Sequence, residues 1–270
     1  MAEYLPFAGK NAIAEMSVGL QFQLPFDSKI GDSIEAIKKE FAEDFPKVDP
    51  VQQFTLSVGT PFSPPSLPNP QGAVGFVLTK LKPDSSPART LRAMGNSLSI
   101  HFMEYESWQQ TKGLAIAYFE KCLRLIGALE KNGAVAIFMR YVDRFTFDGE
   151  PQAANAKLLF REGSKFLPSV IFESGDLWHS NSGWYELLVD ETKTLINLNV
   201  TSATQPTVNI TIDHTNIYPL SRPCNSSVEL FRGSQDQHPL PKIFDRQHFA
   251  NTVILKNLLN EKMLDTIGLK

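Results

Sequence analysis

Residues 134–147, "AVAIFMRYVDRFTF", read as one long apolar β-strand, rich in β-branched and aromatic side chains. Pleat alternation puts Arg140, Val142 and Arg144 on one face, and Tyr141 and Asp143 on the other. Two guanidiniums four residues apart on one strand face stand about 13 Å apart at the rise of an extended chain. That pair has the chemistry to clamp phosphates or the carboxylates of a partner. The competing reading is cross-strand ion pairing at a sheet margin.

A helix is predicted directly upstream. In "SWQQ" (107–110) Ser107 is placed as an N-cap and Gln110 at the third helical position, a capping-box pattern. Trp108, Ala115, Phe119, Cys122, Leu123, Ile126 and Leu129 form an apolar stripe over about six turns, with Gly133 suited to a left-handed cap. The segment entering this helix, "HFMEYESW" (101–108), concentrates His101, Glu104, Tyr105 and Glu106. If 97–104 is a regular strand, His101 and Glu104 point to opposite faces and share no proton relay. Glu106 suits the positive end of the helix dipole. The segment therefore reads as a strand end followed by a helix start.

Working outward, "AIAEMSVGLQF" (12–22) alternates as a half-buried strand, and "GDSIEAIKKEFAEDFP" (31–46) carries helical spacing until Pro46. A strand is predicted over 52–58, a proline-rich connection over 60–72, and strands over 73–81 and 89–104 with "KPDSSPA" as their turn. Downstream, a short helix or irregular stretch near 152–162 precedes strands near 167–174, 183–189, 194–201 and 207–213, with "DETK" (190–193) as a hairpin turn. A loop over 214–241 carries His214 and His238. The final helix begins at "DRQHFANTV", with His248 near its start, and closes at Gly268. The expected fold is α+β, antiparallel sheets packed against long helices. It divides into two related helix-on-sheet halves, 1–133 and 134–270, or forms one continuous domain.

Composition narrows the function classes. The 270 residues are 42% hydrophobic and 20% charged, with a net charge of −3, so no global basic field favours nonspecific nucleic-acid binding. The two cysteines, Cys122 and Cys224, fit a reducing compartment. No signal-peptide pattern and no apolar run near 18 residues is present, so a soluble, cytoplasmic protein without membrane contact is expected. Dinucleotide, P-loop, zincin and nucleophile-elbow motifs are absent. In "ESGDLWHSNSGWYE" (173–186), Asp176, Trp178, His179 and Trp184 cluster in what reads as a loop: a recognition surface, or a hairpin connection whose tryptophans cover the core. The spacing of Glu173, Asp176 and His179 matches no metal pattern. No metal, no cofactor and no catalytic residue is assigned.

Four phrases occur in an order that resembles a sporadically distributed bacterial and archaeal family of unknown function. They are "NAIAEMSVGLQF", "LSIHFMEYESWQQTKGLAIAYFE", "AIFMRYVDRF" and "RQHFANTVILKNLLNEKML". The resemblance rests on Y-x-x-W (Tyr105, Trp108), R-Y-x-x-R (Arg140, Tyr141, Arg144) and a closing helix near His248. The chain departs from it at Asp143, where the family has asparagine, and in "AIFMR", which replaces a glycine-containing lead-in. The resemblance implies no chemistry. Its patchy distribution points to mobile loci, including toxin–antitoxin and antiviral defence systems. The leading expectation is a non-enzymatic binding or regulatory protein with a protein partner or anionic ligand at Arg140, Arg144 and the 176–184 segment; a homo-oligomer is compatible with it. One alternative is a metal-independent enzyme acting on nucleic acid or nucleotides, with His101 or His179 as acid/base. The other is an intracellular small-ligand carrier with a cavity between helix and sheet.

Overall fold

The computed structural model describes residues 2–26, 28–55, 69–187, 192–204, 206–220, 226–232 and 239–269. The expectations for most of 60–72, for Asp190 and Glu191 in the hairpin turn, and for Cys224 and His238 lie outside the described residues.

A single antiparallel sheet of ten strands dominates the molecule. The strands are β1 (Tyr4–Pro6), β2 (Ile13–Phe22), β3 (Lys47–Thr55), β4 (Asn69–Leu81), β5 (Pro87–Met94), β6 (Ser97–Phe102), β7 (Ala134–Phe147), β8 (Trp178–Leu187), β9 (Lys193–Thr204) and β10 (Val208–Pro219). Their spatial order is β3-β4-β5-β6-β2-β7-β10-β9-β8, with β1 beside the end of β7. The two halves therefore share one sheet, joined where β2 pairs with β7. The helices are α1 (Ile34–Phe41), α2 (Trp108–Leu125), α3 (Val228–Arg232), α4 (Leu240–Leu258) and α5 (Glu261–Thr266). They are modest beside the sheet; α4, the longest, has 19 residues.

Several expectations are corrected. The predicted strand 89–104 is a hairpin, β5–β6, turning at Gly95–Asn96 between the paired Met94 and Ser97. Gly95 has φ +58°, which glycine adopts without a Cβ penalty and a tight two-residue turn requires. The α2 cap is Gly127 at φ +66°, not Gly133, so the helix stops at Leu125. Ser107 does cap α2, accepting the Gln110 N–H at 3.4 Å. Residues 169–173 form a 3₁₀ turn and not a strand. The last helix is two, because the Asn260 side chain caps α5 by accepting the Met263 N–H at 2.9 Å. His248 consequently lies in the middle of α4, and His214 is a buried residue of β10, not a loop residue.

All the helices with a share in the core lie on one face of the sheet, over two apolar clusters. The first gathers Met16, Val18 and Leu20 of β2 with Phe119 and Leu123 of α2 and Ile243 and Phe244 of α4. The second gathers Phe145 of β7, Ile210 and Ile212 of β10, and Leu255 and Leu258 of α4. Between them α4 presents Gln247, His248 and Asn251 to the sheet. A polar seam thus crosses the middle of an otherwise apolar layer.

A candidate ligand cavity at the polar seam

Strand β7 supplies the floor. Tyr141 and Asp143 point to the helix-covered face, as alternation requires, and are 1% and 2% exposed. On either side of Asp143 stand Ile13 of β2 and Ile212 of β10. A β-bulge in β2 between Ile13 and Glu15 lies next to this position, where such irregularities re-aim side chains. Burial pushes the Asp143 carboxyl up to about 7, and its Oδ2 has no hydrogen-bond partner among the described residues. Buried polar atoms are nearly always partnered, so this oxygen calls for an explanation.

The walls come from three further elements. Tyr105, in the connection before α2, and His248 and Asn251 of α4 join Tyr141 and Asp143 around a cavity of about 190 Å³. Its apolar side is made by Ile13, Leu255, Ile267 and Leu269. The Tyr141 hydroxyl lies 2.7 Å from His248 Nδ1. Burial lowers the His248 imidazole and raises the Tyr141 phenol, so both are neutral near pH 7 and the two share this hydrogen bond as uncharged groups. The Tyr105 phenol is pushed up to about 12, mainly by burial and then by the Asp143 charge.

His248 is itself fixed from behind. Its ring stacks on Trp108 with centroids 4.5 Å apart and planes 13° apart. Trp108 donates its indole N–H to Asp245 at 2.7 Å, and Lys112 closes on both oxygens of the same carboxylate at 2.7 and 2.9 Å. The Y-x-x-W pair and the closing-helix histidine therefore meet at one place with Tyr141. Beside them His214 Nδ1 lies 2.8 Å from Asn251 Oδ1; burial drives this imidazole down to about 4, and its Nε2 is unpartnered. Gln247 Nε2 donates to the carbonyls of Ile137 and Asn216, each at 3.2 Å, while its Oε1 and both polar atoms of the Asn216 side chain are unpartnered.

The opposite face of the sheet holds the arginines. Arg140 is taken up by carboxylates: Nε and a terminal nitrogen meet the two Asp213 oxygens at 2.8 and 2.7 Å, and Glu15 lies at 3.8 Å. Glu15 also meets His101 Nδ1 at 2.7 Å, and that contact, ahead of Arg140, holds its carboxyl below the ordinary range. Cross-strand ion pairing thus describes Arg140. Arg144 is exposed, its guanidinium 5.4 Å from the Phe7 ring centre, with no carboxylate partner among the described residues. His101 and Arg140 meet only through Glu15.

The 176–184 segment is mostly strand, not loop. Along β8, Trp178 and Trp184 face the helix layer, against Phe160 (6.0 Å) and Phe166 (5.3 Å), while His179 faces outward, 3.1 Å from Thr201 Oγ1. Asp176 precedes the strand and accepts the Thr204 hydroxyl at 2.8 Å. Small polar residues between the tryptophans disguise a period of two. Among the described residues no group of His, Cys, Asp and Glu is placed to hold a metal ion, and no helix is long and apolar enough to cross a membrane.

Asp143, Asn251, His214 and Gln247 escaped selection from sequence as site residues. The available signal was Asp143 itself, an acid at an inward position of an apolar strand. Asn251 and Gln247 come from α4, about a hundred residues away, and belong to none of the motifs read from the sequence.

No protein-family model and no curated protein matches the chain. A comparison with solved structures finds the crystal structure of the di-domain ARO/CYC BexL from the BE-7585A biosynthetic pathway. It is 8% identical over 90% of this chain and 96% of that one, with a TM-score of 0.19, a likeness too slight to carry fold or function.

Proposed function

We propose that the protein is a non-enzymatic binding protein whose ligand occupies the cavity between β7 and α4. The observation that carries this reading is the Asp143 Oδ2 atom, fully buried, without a hydrogen-bond partner, on a residue that walls a cavity. An unmade hydrogen bond at a buried acceptor costs about 1–3 kcal/mol, and a ligand donor would recover that cost. Half-buried rim residues, among them Ile13, Tyr105 and Thr252, leave the cavity a route to solvent. With filled apolar clusters on both sides, the seam is a place where a small molecule fits without disturbing the fold. Native mass spectrometry of protein purified gently from its host tests the reading. A low-mass adduct that Asp143→Leu abolishes in folded protein is the expected result. An adduct unaffected by that substitution places the ligand elsewhere and refutes the reading.

A second reading is favoured by Arg144 alone. An exposed guanidinium without a carboxylate partner among the described residues, on the sheet face that carries no described helix, suits an acidic protein partner of the kind mobile defence or toxin–antitoxin loci supply. Co-purification of a polypeptide that Arg144→Glu releases would support it; retention by that variant would not.

A further inference from the structure

The cavity chemistry is lopsided. Its described lining residues include one acid, Asp143, and no lysine or arginine. The other titratable groups there are Tyr105, Tyr141 and His248, with His214 packed behind Asn251. His248 and Tyr141 bond to each other, as do His214 Nδ1 and Asn251 Oδ1, and among the described lining side chains the buried atom left without a hydrogen bond is an acceptor, Asp143 Oδ2. An anionic ligand would meet that carboxylate without a cation to offset it. A cation would pair with it, and the phenols of Tyr105 and Tyr141 wall the same cavity. Opposite this polar corner the wall is apolar, made by Ile13, Leu255, Ile267 and Leu269. At about 30 Å³ per water-sized group, 190 Å³ holds about six such groups.

Resting on the reading of this cavity as a ligand site, we infer that it takes a small primary ammonium compound. The charged end sits on Asp143, and a short body lies against the aliphatic wall. Selectivity follows from the pairing. A neutral alcohol of the same shape donates one uncharged hydrogen bond, while the ammonium forms a charge-assisted one in a site with little competing water.

Isothermal titration of the full chain at pH 8 with benzylamine, benzyl alcohol and benzoate tests this. Benzylamine is expected to bind at least about tenfold more tightly than benzyl alcohol, with benzoate weakest; a tenfold ratio corresponds to about 1.4 kcal/mol. Asp143→Asn keeps the side-chain shape and should erase the preference while circular dichroism stays native. Equal binding of the alcohol and the amine, or a preference that survives in folded Asp143→Asn, overturns the ammonium assignment and leaves the ligand site standing. Binding of none of the three overturns both.

Discussion

Two charged groups of β7, Arg140 and Asp143, stand three residues apart on opposite faces of the sheet, and their treatment differs. On the open face Arg140 is closed by the two Asp213 oxygens and a third contact to Glu15. On the helix face Asp143 is more deeply buried, yet one of its oxygens has no partner. A charge whose hydrogen bonds are all made is explained by the fold. A buried charge left incomplete costs stability, and such costs concentrate where a protein acts on something else. The arginine that invites a functional reading in sequence is ion-paired within the sheet, and the neighbouring aspartate is the residue on which the proposed ligand site rests.

The largest test of this contrast is Trp108→Ala. Trp108 packs edge-on to Phe244, stacks on His248 and bonds to Asp245, so its loss removes the backing of the cavity. Chemical denaturation should show about 3–5 kcal/mol of destabilisation. A loss below about 1 kcal/mol would mean that the stack does not hold the seam.

Next comes Asp143 and its pH dependence. A carboxyl at about 7 when folded, against an ordinary value near 4, binds more protons in the folded than in the unfolded chain across that window. Its contribution therefore falls as pH rises from about 4 to about 7, by about 4 kcal/mol in all. His214 acts the other way: held at about 4, it takes up protons on unfolding below its ordinary 6.5, so its contribution falls as pH drops from 6.5 to 4. The wild-type profile should be nearly flat from pH 4 to 6.5, where the two slopes oppose. Asp143→Asn should tilt it upward with pH and, at pH 8, stabilise the protein by about 1–3 kcal/mol after the burial cost of the amide. Urea unfolding at several pH values measures this, and a less stable variant at pH 8 would show that Asp143 is partnered after all.

A smaller effect sharpens the account of the open face. The Phe138 ring lies across Gly19, where an added Cβ would stand 2.1 Å from its Cζ. Gly19→Ala should cost about 1–3 kcal/mol, and Phe138→Ala in the same chain should reduce that penalty. Independent, additive losses would indicate that the ring does not depend on the glycine. Smallest are the arginines. Arg140→Ala should cost at most about 1 kcal/mol because the pair is partly solvated, with coupling to Asp213 visible in a double-mutant cycle. Arg144→Ala should stay within about 0.5 kcal/mol. A large loss on Arg144→Ala would reverse the ranking of the two sites.

Local chemistry made much of this fold legible. The alternation of Met16, Val18, Leu20 and Phe22, the Ser107 cap, the face assignment along 134–147 and the closing glycine Gly268 follow from period, capping and backbone conformational preference, which act over a few residues. Errors arose where a single residue changed the course of the chain. Gly95 split one expected strand in two, Asn260 split the last helix, and serines and a glycine in 178–184 masked a strand. The sequence by itself determined that Asp143 points away from Arg140 and Arg144. Only the tertiary structure decided that β2 and β7 fuse the halves into one sheet, that Arg140 is neutralised from β10 and β2, and that α4 lays His248 and Asn251 over Asp143. The physical reason is range: pleat and cap energies are set by near neighbours, while desolvation and hydrogen-bond satisfaction depend on residues brought together from distant parts of the chain.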